Sequence, residues 1–422
     1  MGLSFLGGAF FPSGWSTGMV VGLVHLPALG LLAYTDLLTQ HRLYRAYRAS
    51  GGRAGGWVLP VILGTILGVT LTLAGNWVDR AAIAYERGVA AAERRDHDAA
   101  ITAFSEAIRL APDAVEAYRA RAGAYLDKKD YDKAAADFAE VLRRDPSDAN
   151  AYHMRGGIFM GRGDYDLAIA DCNESSRRDP SQAAAYLKRG LSYQAKGESA
   201  RALADYDTYI RMEPGNRNAY HNRAQVNHAL GQAEPAIRDL DKAISMGPPD
   251  ASAFRDRAAA YLLLGRRDRA IEDYSAAIRL DPADPEALAM RAELYVMDKH
   301  LDLASADSSA VVKLAPQDAN ARCLESRVNS IAGRYDLALE GAQQAIRLAP
   351  DSALAYYTRA LAYVSKSDLS SAIADLGRAI ELDPKFLDAY RLRSACHSDL
   401  GDKTGAEADA REAERLGPSP GR

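Results

Sequence analysis

Arginine returns nine times at multiples of 34 residues, at Arg87, Arg121, Arg155, Arg189, Arg223, Arg257, Arg291, Arg359 and Arg393. Sixteen residues after eight of them stands an aspartate: Asp137, Asp171, Asp205, Asp239, Asp273, Asp307, Asp375 and Asp409. A guanidinium facing a carboxylate forms two parallel charge-assisted hydrogen bonds. Where the arginine is replaced, at Glu325, the aspartate is replaced too, by Gly341. Their joint loss implies pairing inside each 34-residue unit, which orphans only Arg87, opposite Ala103; pairing each aspartate with the next unit's arginine orphans three. Such a ladder is either a charged stripe offered to a partner or a row of half-buried structural pairs. The structural reading is adopted, in which breaking a pair matters more than having it.

Other reactive side chains do not gather. The sequence holds no HExxH, GxxxxGK[ST] or GxSxG and no Cys/His set at zinc spacing. His221 and His228 lie two helical turns apart, too far to share a metal. Cys172, Cys323 and Cys396 sit several units apart, so no disulfide is expected between them. Opposite charges nearly cancel, 52 basic against 56 acidic, and both signs are spread along the chain, which argues against nucleic acid. The glycine-rich GGRAGG at 51–56 follows no strand and is no phosphate loop. Neither an enzyme nor a cofactor is expected.

The elements that position these side chains follow from the same period. Prolines fall every 34 residues from Pro112 to Pro418, and a register beginning at Ala81 gives ten units. Unit position 20 is alanine in all ten, and position 8 is Gly, Ala or Ser in all ten, so two helices can approach closely there. Position 4 is aromatic in seven units, and position 24 holds Phe104, Phe138, Tyr206 or Tyr274 in the better-formed ones. Glycines at 163, 197, 231, 265, 333 and 401 mark the turn between helix A and helix B, where a left-handed backbone is needed. Capping side chains at Asp148, Asn216, Asp250, Asp284, Asp318 and Ser352 start the next helix A.

Small residues at 8 and 20, aromatics at 4, 11 and 24, and proline at 32 resemble the tetratricopeptide repeat, of the kind found in membrane-anchored bacterial proteins, over residues 81–420. The resemblance implies a right-handed superhelix whose A helices line a groove for peptides or partner helices. Helix-A positions 2, 5, 6, 9 and 12 are then the expected lining. The carboxylate clamp of some family members is not matched: Asn222 occupies position 6 of the fifth unit, but Leu187, Leu191, Ser252 and Asp256 stand at the flanking clamp positions. What the middle units offer instead is a mixed polar surface with His153, Met154, Met160, Lys188, Gln194, His221, Asn222, Gln225, His228, Arg255 and Asp256. Met154, Lys188, His221, Asn222, Gln225, Arg255 and Asp256 are the candidate partner-binding residues. Two units break the pattern: Ser308 and Ala342 stand where a large core residue belongs, and the eighth has Arg322 and Asn329 for its aromatics. A hinge or local partner site is expected there. The tenth unit's second helix is heavily charged, with Ala410 at the aromatic position, as suits an end unit; the chain then runs out at GPSPGR with no extra capping helix expected.

The first 80 residues suit a different solvent. Between Met1 and Thr35 the only titratable side chain of this kind is His25, and between Ala54 and Val78 there is none. Trp15 to Leu38 and Trp57 to about Asn76 are each long enough to cross a hydrocarbon core of about 30 Å. His25 is either functional or hydrogen-bonded to a helix neighbour. Arg42, Arg45, Arg48 and Arg53 in the intervening loop place it in the cytoplasm by the positive-inside rule, which sends both ends outside.

The expected fold is all-α: residues 1–80 form a membrane anchor with two transmembrane helices (15–38 and 57–76), and 81–420 form an α-solenoid of ten tandem helix pairs. The expected function is an inner-membrane scaffold that holds segments of partner proteins in a periplasmic groove; the alternative is a non-catalytic subunit of a membrane enzyme or transport assembly.

Overall fold

The computed structural model describes residues 80–248 and 250–417. Both expected membrane spans, with His25, lie outside the described residues; within them, no helix is long and apolar enough to cross a membrane. The chain divides into two compact units at Ala151/Tyr152. The first contains α1 (80–93), α2 (His97–Leu110), α3 (Val115–Asp127) and α4 (Tyr131–Arg144), and the boundary falls inside α5 (Ala149–Arg162). The second holds α6 (Tyr165–Arg178), α7 (Ala183–Ala195), α8 (Ser199–Met212), α9 (Arg217–Ala229), α10 (Ala233–Ser245), α11 (Ala251–Leu263), α12 (Arg267–Leu280) and α13 (Pro285–Met297). It continues with α14 (Leu301–Leu314), α15 (Ala319–Ile331), α16 (Tyr335–Leu348), α17 (Ala353–Ser365), α18 (Leu369–Leu382), α19 (Leu387–Asp399) and α20 (Lys403–Leu416). The described residues form no strand. In each unit the helices stack in chain order, a solenoid-like row of hairpins in which odd-numbered helices are A and even-numbered are B.

Local chemistry sets the element ends. Helix B closes with a backbone bond such as Ala111 N–H to the Ala107 carbonyl at 2.8 Å, and Ala111 is then extended (φ −133°, ψ 83°), as the following Pro112 requires. Helix A opens on the expected caps: Asp250, Asp284, Asp318, Asn216 and Ser352 all accept a first-turn N–H. The A-to-B turn needs a left-handed residue in every repeat. Six glycines supply it, with φ between 68° and 83°, while Arg95, Lys129, Lys299 and Ser367 adopt it without that freedom.

The small positions are the contact points. Nine of the ten position-20 alanines, Ala100 to Ala372, have no exposed surface, and Ala406 in the last repeat is only half-buried. At position 8, a Cβ added to Gly190 would meet the Tyr206 ring at 3.0 Å, so the missing side chain makes room for the aromatic of helix B. Position 24 holds the largest buried side chains, Phe104, Phe138, Tyr206, Tyr274, Leu240 and Leu376.

All eight expected Arg–Asp pairs form, each inside its own repeat. In Arg257–Asp273 the guanidinium donates from Nε to Oδ2 and from Nη2 to Oδ1, both at 2.7 Å, and the other pairs repeat this geometry within 2.5–2.8 Å. The aspartates are buried and the arginines mostly so, which identifies a structural ladder. The repeat aromatics flank each guanidinium, as Phe254 and Tyr261 flank Arg257 at 5.4 and 6.0 Å. Hydrogen bonding to aspartate raises these arginines' already high pKa, so they stay charged. In six of the eight pairs the free Nη1 does something the spacing did not suggest: it reaches position 25 of the preceding repeat, as Arg223 to Asp207 and Arg257 to Asp241 at 2.6 Å and Arg291 to Ser275 at 2.9 Å. One arginine thus closes its own hairpin and ties it to the one before.

Candidate protein-binding face

With the aromatics and the ladder buried between helices, positions 2, 5, 6, 9 and 12 of the A helices remain on one face. In repeats four to six this face carries a continuous polar chain. Tyr206 donates its hydroxyl proton to Gln194 Oε1 at 2.5 Å, Gln194 Nε2 donates to Gln225 Oε1 at 3.5 Å, and Gln225 Nε2 donates to Asp256 Oδ2 at 3.0 Å. The same Asp256 oxygen lies 2.8 Å from His221 Nε2. Burial works against the Asp256 charge, yet hydrogen bonds from His221 and Gln225, with the charges of His221 and Arg255, outweigh it and hold the carboxyl below its ordinary value.

Of the residues singled out in the sequence, the structure brings His221, Gln225 and Asp256 together. Arg255 turns away to Asp284 at 3.0 Å and Glu286 at 3.3 Å. Asn222 and Met154 are half-buried on the face, and their side chains form no hydrogen bond with the described residues. Lys188 lies deeper: its Nζ is 3.1 Å from His153 Nε2 and 3.3 Å from the His153 carbonyl oxygen, and among the described residues it has no carboxylate partner. Burial lowers its pKa, and burial together with the Lys188 charge lowers His153 to about 4, so His153 is neutral near pH 7 and its Nε2 is the acceptor. Cys172, packed beside this pair in helix B of repeat three, is pushed up to about 12 by burial and is a core filler rather than a nucleophile. All three cysteines are free and buried.

A cleft on the face contains none of the candidate partner-binding residues and lies where the sequence led to a hinge or local partner site. It measures about 530 Å³, within the range of pockets that hold ligand side chains, and is lined from repeats seven to nine. Ala289 and Glu293 of α13, Cys323, Leu324 and Arg327 of α15, and Leu354, Tyr357, Thr358 and Leu361 of α17 form its walls, with Glu286, Asn320 and Asp318 at the rim. These are the lining positions 2, 5, 6 and 9, now read from coordinates. Here α15 packs directly along α17, whereas α7 with α9, α9 with α11 and α13 with α15 touch only briefly. Buried Cys323 and Thr358 allow that approach, since neither has bulk to hold the helices apart. Arg327 pairs with Glu293, and burial lowers its pKa. The signal in the sequence was the broken pattern of repeats seven and eight, where Ser308 and Ala342 are indeed the small buried residues at position 24. Among the described residues no group of His, Cys, Asp or Glu is placed to hold a metal ion.

The tetratricopeptide repeat family profiles match residues 72–115, 85–149, 119–183, 187–253, 251–284, 332–375 and 357–419, more than half of the chain. The chain belongs to the tetratricopeptide repeat family. The stretch 285–331, between the matched segments, contains much of the cleft wall. Among solved structures, a tetratricopeptide repeat protein from Parabacteroides merdae is similar at 22% identity and a TM-score of 0.51, covering 56% of this chain and 94% of that one. PilF of Pseudomonas aeruginosa is similar at 18% identity and a TM-score of 0.45, covering 52% of this chain and 99% of that one. No curated protein matches the sequence. The family match confirms a tetratricopeptide repeat fold, all-α, as expected.

Proposed function

We propose that this tetratricopeptide repeat protein is a membrane-anchored scaffold: residues 1–80 hold it in a bilayer, and the A-helix face of its repeats binds segments of other proteins. The carrying observation is that the polar chain of Gln194, Gln225, Asp256 and His221 and the cleft at Leu354, Tyr357 and Leu361 are both built from the helix-A lining positions 2, 5, 6, 9 and 12. Amide side chains suit the backbone of an extended segment, and a cleft of this size suits its side chains. The apolar stretches 15–38 and 57–76, with four arginines between them, support a two-span anchor whose repeats face the periplasm of a bacterial inner membrane.

Photo-crosslinking side chains placed at Asn222 and Leu361, and at Arg269 on the outer face of helix B, test the binding face in cells. Discrete adducts from the first two positions and none from Arg269 are expected; equal labelling from all three rejects the groove. Compartment-specific reporters fused at Gly51 and Arg422 test the anchor. A cytoplasmic loop with an external C-terminus is expected, and a cytoplasmic C-terminus overturns the periplasmic assignment.

A further inference from the structure

The cleft of repeats seven to nine has a chemistry of its own. Its floor is apolar: Leu324, Leu361 and the half-buried Tyr357 ring, with Leu354 exposed at the mouth. Its charged lining is three carboxylates, Glu286, Glu293 and Asp318, against one guanidinium, Arg327. That guanidinium is already engaged by Glu293 and is partly desolvated, so it has little attraction left for an incoming anion. Glu286 is mostly exposed and is shared only at its edge with Arg255 at 3.3 Å. Asp318 is exposed and uses one oxygen, Oδ1, to cap α15 through the Asn320 N–H at 2.9 Å. An apolar hollow rimmed by carboxylates repels acidic segments and attracts cations carried beside a large apolar side chain.

Building on the proposed groove function, we infer that this cleft takes one bulky aliphatic or aromatic side chain of a partner protein, flanked by lysine or arginine that reaches Glu286 and Asp318. The volume admits a side chain of leucine to phenylalanine size together with part of its backbone. The direct packing of α15 on α17 makes the floor continuous, so the pocket is preformed and loses little freedom on binding. Cations at the rim set which segments approach, and the apolar side chain holds them there.

A random dodecapeptide library displayed on phage, selected on the full-length detergent-solubilised protein, tests this. Wild type is expected to enrich sequences with a large apolar residue next to Lys or Arg, at least tenfold over Leu354→Arg, a change at an exposed position that leaves the core intact. Glu286→Lys should weaken the selected peptides further as salt is lowered, because it replaces attraction by repulsion. Acidic or charge-free consensus sequences, or equal enrichment on Leu354→Arg, overturn the cleft assignment. Peptides that survive Leu354→Arg but are lost on Asn222→Ala/Gln225→Ala reject this cleft and leave the groove standing. No enrichment on wild type over a variant carrying Leu354→Arg, Asn222→Ala and Gln225→Ala together rejects both.

Discussion

At the residue scale the ladder arginines carry the most consequence per side chain. Arg257 holds buried Asp273 with two hydrogen bonds and ties α11 to Asp241 of the preceding repeat. Arg257→Ala leaves the Asp273 charge buried and alone, and should cost about 3 kcal/mol in the local opening free energy of residues 251–280, read by hydrogen exchange. Replacing both partners by Met and Leu should cost far less, because no uncompensated charge remains; equal losses in the two variants contradict the pairing argument. His153 adds a pH dependence whose sign follows from its burial. Its folded pKa of about 4 lies below the ordinary 6.5, so protonation favours the unfolded chain. The stability it permits is complete above pH 6.5 and is lost as pH falls toward 4, by up to about 3 kcal/mol. Thermal midpoints measured at pH 7.5 and 4.5 should fall further for wild type than for His153→Gln.

At the element scale the hairpin turn is the clearest device. Every repeat puts a left-handed residue between its helices, and four do so with a side chain. Lys299, at φ 62°, has a Cβ where Gly265, at φ 68°, has none. Lys299→Gly should therefore stabilise the seventh hairpin by about 1 kcal/mol, and Gly265→Ala should destabilise the sixth by about the same. Chemical-denaturation midpoints moving in the same direction for both variants would falsify this account of the turn. The register, the caps and the turn were all legible in the sequence, because each depends on the backbone preference of one residue. Helix-B caps such as Asp130 and Asp368 follow the same single-residue rule.

At the scale of the whole molecule, stability in a stacked-repeat protein is a sum of hairpins and their interfaces, and it is uneven. Repeat eight lacks the ladder pair, having Glu325 and Gly341, and fills position 24 with Ala342. Its Glu325 instead accepts from Ser309 Oγ at 3.1 Å and from Arg322 at 3.3 Å, while Arg322 Nε is buried without a partner. Amides of residues 319–348 should exchange faster than those of 251–280, where the pair and Tyr274 are intact. Exchange no faster there removes the soft point and leaves an evenly stable array.

Period, composition and single-residue backbone rules determined from sequence alone that the chain is a row of helix hairpins, which faces are buried, and that Arg and Asp meet within a repeat. Those features repeat, and repetition averages away the ambiguity of any one segment. What the tertiary structure decided concerns the places where repeats differ. The third bond of six of the eight ladder arginines, the separation of Arg255 from His221 and Asp256, and the cleft of repeats seven to nine depend on how far one helix sits from the next. That distance is set by side-chain volumes from several repeats at once, as Cys323 and Thr358 set it between α15 and α17. No spacing along the chain records it.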